Sequence, residues 1–156
     1  MIEALIGKLF SQQKLRLAVA ESCTGGLVCH RITNVAGSSN YFMGGVVSYS
    51  NEAKMNLLGV SPESLEQHGE VSQETVEQMA RGVRTLFGVD VGMGISGIAG
   101  PGGATPGKPV GLTWIGISTA EGEKAWQFTW QGDRLAVKEQ TAEKALQLLL
   151  DYLEGR

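Results

Sequence analysis

No stretch of this chain is apolar for anything near the roughly 20 residues that cross a bilayer, which excludes a helical membrane span. Met1 runs straight into Ile2-Glu3-Ala4-Leu5-Ile6, without a basic segment, an apolar segment and a cleavage site in succession. Export is therefore not expected, and a cytoplasmic location is. A basic excess is missing as well. Thirteen Lys and Arg against 16 Asp and Glu leave a net charge of −3, with no basic stripe of the kind that nucleic-acid binders carry. Cysteine is scarce: Cys23 and Cys29, six apart, fit no zinc spacing and read as free thiols in a reducing compartment. His30 and His68 have no partner at ligand spacing, so no metal site is expected.

Glycine is the residue in surplus. The chain has 22 in 156 residues, twice the average share of about 7%, gathered at Gly25-Gly26, Gly44-Gly45 and from Gly92 to Gly111. Such clusters suggest a backbone that passes close to something. A length of 156 residues with 42% apolar and 19% charged side chains describes one globular domain over residues 1–156, with a core large enough to need no disulfide.

Leu5, Ile6, Leu9 and Phe10 recur at helical spacing, which predicts an opening helix over Ile2 to Gln13. The apolar run Leu15 to Ala20 predicts a buried strand. Thr24 then offers a cap for a helix from Gly25 to about Val35. Tyr41 to Ser50 predicts a second strand, interrupted by Gly44-Gly45. Asn51 to Leu58 predicts a helix stopped by Gly59, and Ser61-Pro62 starts the next. Ser72 caps a helix whose stripe is Val76, Met79, Ala80, Val83 and Leu86, with Gly88 as its stop. A strand over Asp90 to Ser96, a loop from Gly97 to Pro109, and a hairpin of Leu112 to Thr119 with Lys124 to Trp130 precede a last helix over Arg134 to Leu153. The pattern predicts a three-layer α/β/α sandwich on a mixed sheet ending in an antiparallel hairpin.

Three segments could carry chemistry. In Ala20-Glu21-Ser22-Cys23-Thr24-Gly25-Gly26 a strand gives way to a helix N-terminus, whose free N–H groups suit an anion or an oxyanion. Ser22 stands beside those donors as a nucleophile, with Cys23 as the alternative, or the segment is an ordinary turn in which Ser and Thr serve as caps. In Ser50-Asn51-Glu52-Ala53-Lys54 the lysine falls in the first turn of a helix. The dipole and partial burial favour its neutral form, able to act as a base, unless it is an exposed lysine paired with a carboxylate. The segment Ser96 to Gly111 begins at a strand end and forms either an anion cradle of backbone N–H groups or a flexible surface loop. Arg134 holds a ligand anion or makes a surface ion pair. Trp114, Trp126 and Trp130 read as packing or subunit-contact residues.

Taken together and in order, AESCTGG, VVSYSNEAK followed by LLGV, QHGEVS, and SGIAGPGG with GKPVG closely resemble the C-terminal domain family of the competence/damage-inducible protein CinA. Within that family the chain is similar to the stand-alone nicotinamide mononucleotide deamidases. The resemblance runs from about Leu15 to the last helix. The nucleotide-processing N-terminal domain of longer CinA proteins has no counterpart, so its pyrophosphatase activity is not carried over. The resemblance implies hydrolysis of the nicotinamide mononucleotide carboxamide to nicotinate mononucleotide and ammonia, in pyridine nucleotide recycling, by a Ser–Lys pair without metal or cofactor. The matching positions are Ser22 as nucleophile and Lys54 as base, with Tyr49 as a third member that orients the pair or relays a proton.

Beside this, Thr24, Gly25 and Gly26 are read as oxyanion donors, and Gly97, Gly100, Gly102 and Gly103, with Arg134, as the phosphate or ribose site. The expected partner is a small nucleotide, with no nucleic acid and no membrane, and the aromatic hairpin suggests a homo-oligomer. Two other classes stay open: a pyridine-nucleotide-binding module without catalysis, and an interaction protein of competence or DNA damage.

Overall fold

A computed structural model describes residues 1–156. Alternation along a five-residue strand, β1 (Leu17–Glu21), sets the layers: Leu17 and Val19 enter a core on one face of the sheet, Ala18 and Ala20 a core on the other. Parallel strands β2 (Phe42–Val47) and β3 (Val91–Gly97) flank it. The antiparallel hairpin β4 (Leu112–Thr119) and β5 (Gly122–Thr129) completes the order β2-β1-β3-β4-β5.

On the Leu17 face lie α1 (Ile2–Gln13), α2 (Leu27–Thr33) and α6 (Arg134–Glu154); Ile6, Phe10, Val28, Ile32, Leu146 and Leu149 are buried there. The Ala18 face carries α3 (Asn51–Leu58), α4 (Pro62–His68) and α5 (Gln73–Phe87), with Leu58, Val76, Met79 and Val83 in the core. This is the three-layer sandwich with a mixed sheet. Part of the glycine surplus is explained by α5: a Cβ on Gly92 would lie 2.1 Å from the Ala80 carbonyl, and one on Gly94 2.5 Å from that of Val76. Both glycines let the helix settle directly on β3.

The helix stops at Gly59 and Gly88 and the caps at Ser61 and Ser72 fall where the sequence places them, and Ser50 caps α3. Four local expectations are corrected. Helix α2 starts at Leu27 behind Gly26, and the Thr24 side chain does not cap it, because Glu21 takes that hydroxyl. Strand β2 stops at Val47, before Ser48 turns away. Gly44-Gly45 does not interrupt it, since β1 pairs with both glycines past a register shift between Leu17 and Ala18. The β4–β5 turn is only Ala120-Glu121, as Thr119 pairs with Gly122. Trp114 and Trp126 pack against the cores on the two faces.

Strand order reverses beside β1, and Ser22 follows it directly. In open α/β sheets the crevice at such a reversal, beyond the carboxyl ends of the strands, is where ligands bind.

Candidate active site

That crevice is occupied by a cleft of about 330 Å³. Its wall includes Ser22 and Cys23 after β1, Tyr49, Asn51 and Lys54 from the start of α3, and Glu70 and Val71 before α5. Ser96 to Gly100, Gly102 and Gly103 after β3 and Arg134 at the start of α6 close it. Five segments, distant in sequence, converge because three parallel strand ends and the first turn of α6 meet at one edge of the sheet.

Continuing the alternation of β1, Ser22 points to the same face as Ala18 and Ala20, toward α3. There Lys54 is 2% exposed. Its Nζ lies 3.1 Å from Ser22 Oγ and donates to the Ser48 carbonyl at 2.8 Å. Burial pushes the Lys54 amine below the ordinary lysine range, while the Glu70 carboxylate acts against this. The helix dipole is not the principal cause; desolvation is. The amine thus meets one fixed acceptor and one hydroxyl, and in its neutral form keeps a lone pair that can accept the Ser22 proton.

Cys23 stands beside Ser22, with its thiol pressed against β3. A Cβ on Gly97 would come 3.0 Å from Cys23 Sγ, so only glycine allows this approach. Burial, with the Glu21 charge behind it, pushes the thiol up to about 12, which keeps it protonated and a poor nucleophile. The Cys23 N–H has no acceptor within the chain, nor have those of Ala99, Gly100, Gly102 and Gly103 across the cleft.

Not every candidate residue gathers here. Ser22, Lys54, Gly97, Gly100, Gly102, Gly103 and Arg134 share the cleft, and Tyr49 stands on its rim. Tyr49 is 60% exposed, and its hydroxyl accepts from Arg134 Nη2 at 2.7 Å, with no hydrogen bond to Ser22 or Lys54. That corrects its place from a member of the pair to a rim residue tied to Arg134, whose Nη1 donates to the Gly100 carbonyl at 2.7 Å. Thr24, Gly25 and Gly26 do not line this cleft; they line a separate shallow depression with His30 and Lys138. The Gly25 N–H is taken by the Ser22 carbonyl and those of Val28 and Cys29 by Glu21, while those of Thr24 and Gly26 have no acceptor in the chain.

Sequence reasoning missed Ser48, Asn51, Glu70 and Ser96. Glu70 accepts from Asn51 Nδ2 at 3.0 Å, and its carbonyl accepts from Ser96 Oγ at 2.7 Å. The QHGEVS segment contains Glu70, but its nearness to Lys54 depends on how α3 and α5 pack.

The model of the CinA C-terminal domain family matches residues 1–153. A relative from Moorella thermoacetica, named for competence and damage induction, is 51% identical over 99% of this chain and 37% of its own length. A CinA-like protein from Thermotoga maritima is 44% identical over 99% of this chain and 38% of its own. The chain thus spans a little over a third of these curated relatives. Among solved structures, a competence-damaged protein (CinA) superfamily protein from Klebsiella pneumoniae superposes with a TM-score of 0.96. It is 33% identical and covers 99% of this chain and 97% of that one. A CinA superfamily protein from Escherichia coli gives a TM-score of 0.90 at 32% identity, covering 96% and 90%.

Proposed function

The chain belongs to the CinA C-terminal domain family, and from that premise we propose that it is a serine amidohydrolase that deamidates nicotinamide mononucleotide. The observation that carries the reading is the 3.1 Å approach of a buried lysine amine to a serine hydroxyl on the floor of a cleft at the sheet's strand ends. Buried amines are costly, and one placed against a hydroxyl with a single backbone acceptor behind it suits general-base catalysis.

In this mechanism the Ser22 hydroxyl gives its proton to neutral Lys54 as Oγ bonds to the amide carbon. The N–H of Cys23 and those of the loop after β3 are the candidate donors to the oxyanion; losing one such donor costs about 3–4 kcal/mol. As the carbon–nitrogen bond breaks, the Lys54 ammonium returns the proton to the departing nitrogen and ammonia leaves. Water then gives its proton to Lys54 and attacks the acyl carbon. Collapse expels Ser22 Oγ, which takes the proton back, and releases the carboxylate. The substrate's pyridinium charge already draws electrons from the carboxamide. Its phosphate suits Arg134 and the free N–H groups of Gly100, Gly102 and Gly103.

The test is ammonia release from nicotinamide, its riboside, its mononucleotide and NAD. The expected result is turnover of the mononucleotide, abolished in folded Ser22→Ala and Lys54→Ala and nearly unchanged in Cys23→Ser. Turnover surviving in both of the first two variants removes the assignment. Tight calorimetric binding of the mononucleotide without ammonia release would make the chain a binding module instead.

A further inference from the structure

One residue before the nucleophile lies a carboxylate with none of its surface exposed and no part in the chemistry above. By the alternation of β1, the Glu21 side chain goes to the α2 face while Ser22 goes to the α3 face. Oε1 accepts from the Thr24 hydroxyl at 2.5 Å and the Val28 N–H at 3.0 Å, and Oε2 accepts from the Cys29 N–H at 2.9 Å. Burying a charge is tolerated only where donors meet it, and charge-assisted bonds at a helix N-terminus do that here.

The main chain of the same residue serves the other partner. The Glu21 carbonyl accepts from the Ser48 N–H at 2.8 Å and the Ser48 hydroxyl at 3.4 Å. The carbonyl of Ser48 is in turn the acceptor that holds Lys54 Nζ. Nucleophile and base are 32 residues apart, and both are secured at Glu21.

We infer that Glu21 is a positioning residue for the Ser22–Lys54 pair: its carboxylate locks the Ser22-Cys23-Thr24 turn onto α2 and so keeps the Ser22 hydroxyl within reach of the amine. The inference rests on the Ser–Lys reading but not on the identity of the substrate. It separates rate from binding, because the groups suited to hold a phosphate stand across the cleft and make no contact with Glu21. A misplacement of about 1 Å at a reacting atom can cost about 100-fold in rate.

Two readouts test it. The first is covalent labelling of Ser22 by a fluorophosphonate, in which Oγ bonds to phosphorus, fluoride leaves and Lys54 takes the proton; intact mass reports it without a nucleotide. The second is kcat and KM for ammonia release from nicotinamide mononucleotide. Glu21→Gln keeps the size but turns an amide NH2 against N–H donors. Thr24→Val removes one hydroxyl at constant shape, and Thr24→Ser restores it.

The expected result is a loss in labelling rate and kcat of about 100-fold in Glu21→Gln and about 10-fold in Thr24→Val, with KM within about threefold of wild type. Thr24→Ser returns both rates to near the wild-type values. Wild-type rates in either folded variant would overturn the role, and so would a rise in KM matching the fall in kcat. Should Glu21→Gln fail to fold, Thr24→Val against Thr24→Ser decides on the same terms. Labelling of the wild type at Ser22 without ammonia release would sink the substrate and leave this role judged by labelling. Absence of labelling would remove the pair and this role with it.

Discussion

The turn that leaves β1 and the turn that leaves β3 start side by side at one edge of the sheet, and both are rich in glycine. After β1, Glu21 fills the head of α2 from inside the protein, and the Gly25 and Leu27 N–H groups close on the Ser22 and Thr24 carbonyls. After β3 the main-chain hydrogen bonds lie at the base and the tip of the loop, with Arg134 on the Gly100 carbonyl between them. The Ile98 N–H bonds the Leu112 carbonyl, and Thr105 and Lys108 bridge each other. Between those points the N–H groups of Ala99, Gly100, Gly102 and Gly103 have no acceptor in the chain, and all four residues line the cleft. A glycine turn before a helix can therefore serve as a rigid mount, and the neighbouring loop as the cradle. What separates them is that a protein carboxylate occupies the donors at the head of α2, whereas none occupies those of the loop after β3.

The severest way to probe this division is to remove what lies between the two turns. Lys54→Met leaves both in place and is expected to lower kcat by about 10⁴-fold or more. It should also stabilise the fold by about 1–3 kcal/mol at neutral pH, since an apolar side chain of similar length replaces a buried amine. The sign follows from the depressed lysine pKa. The unfolded chain binds a proton that the folded chain resists, so the wild-type penalty is full below the folded pKa. It fades as pH climbs toward the ordinary lysine value. Chemical denaturation at pH 7 and at pH 10 should show the advantage of Lys54→Met shrinking at the higher pH.

Next in size is Arg134→Ala, on the cradle side. Losing a guanidinium that would meet the phosphate should raise KM for nicotinamide mononucleotide by about 10- to 100-fold, the equivalent of one charge-assisted hydrogen bond. KM for the riboside should stay put. Equal effects on both substrates would mean that Arg134 only braces Gly100 and Tyr49. On the mount side, Gly25→Ala forces an L side chain into φ +61. About 1 kcal/mol of stability should be lost, read as a lower melting temperature, with KM unchanged. A rise in KM there would return the β1 turn to the ligand and break the comparison.

Why the two turns looked alike in sequence is physical. Local signals are nearly complete for α5: its Ser72 cap, its stripe and its Gly88 stop all lie within one run, so its ends are legible, although Leu86, expected in the stripe with Val76, Met79, Ala80 and Val83, is exposed. The mixed sheet follows from strands alternating with helices and a closing hairpin. Glu21, by contrast, reads as the polar end of a strand. Its burial depends on α2 folding back over β1, a tertiary event that spacing does not encode. Ser22 and Lys54 could be paired from the family resemblance, but their spacing alone does not bring them together. That the lysine is buried rather than a surface cation emerges only when α3 packs at the strand ends. Glu70 and Asn51 were invisible for the same reason.

Glu70 supplies the smallest effect, and it probes the amine from the far side. Two influences act on Lys54: burial, the larger, lowers its pKa, and the Glu70 carboxylate raises it by favouring the ammonium. In the proposed mechanism the neutral amine is the active form, so the rate should rise with pH through the folded pKa and level off above it. Glu70→Gln removes the opposing charge while its amide can still meet Asn51. The rising limb of kcat against pH should therefore move to lower pH, with the same plateau. Below the limb the variant outpaces the wild type; above it the two coincide. A limb that moves to higher pH would mean that the carboxylate aids proton removal, making Glu70 a second base rather than a counterweight. A lowered plateau would mean that it touches the substrate, and the cradle would then extend around the cleft to the α5 side.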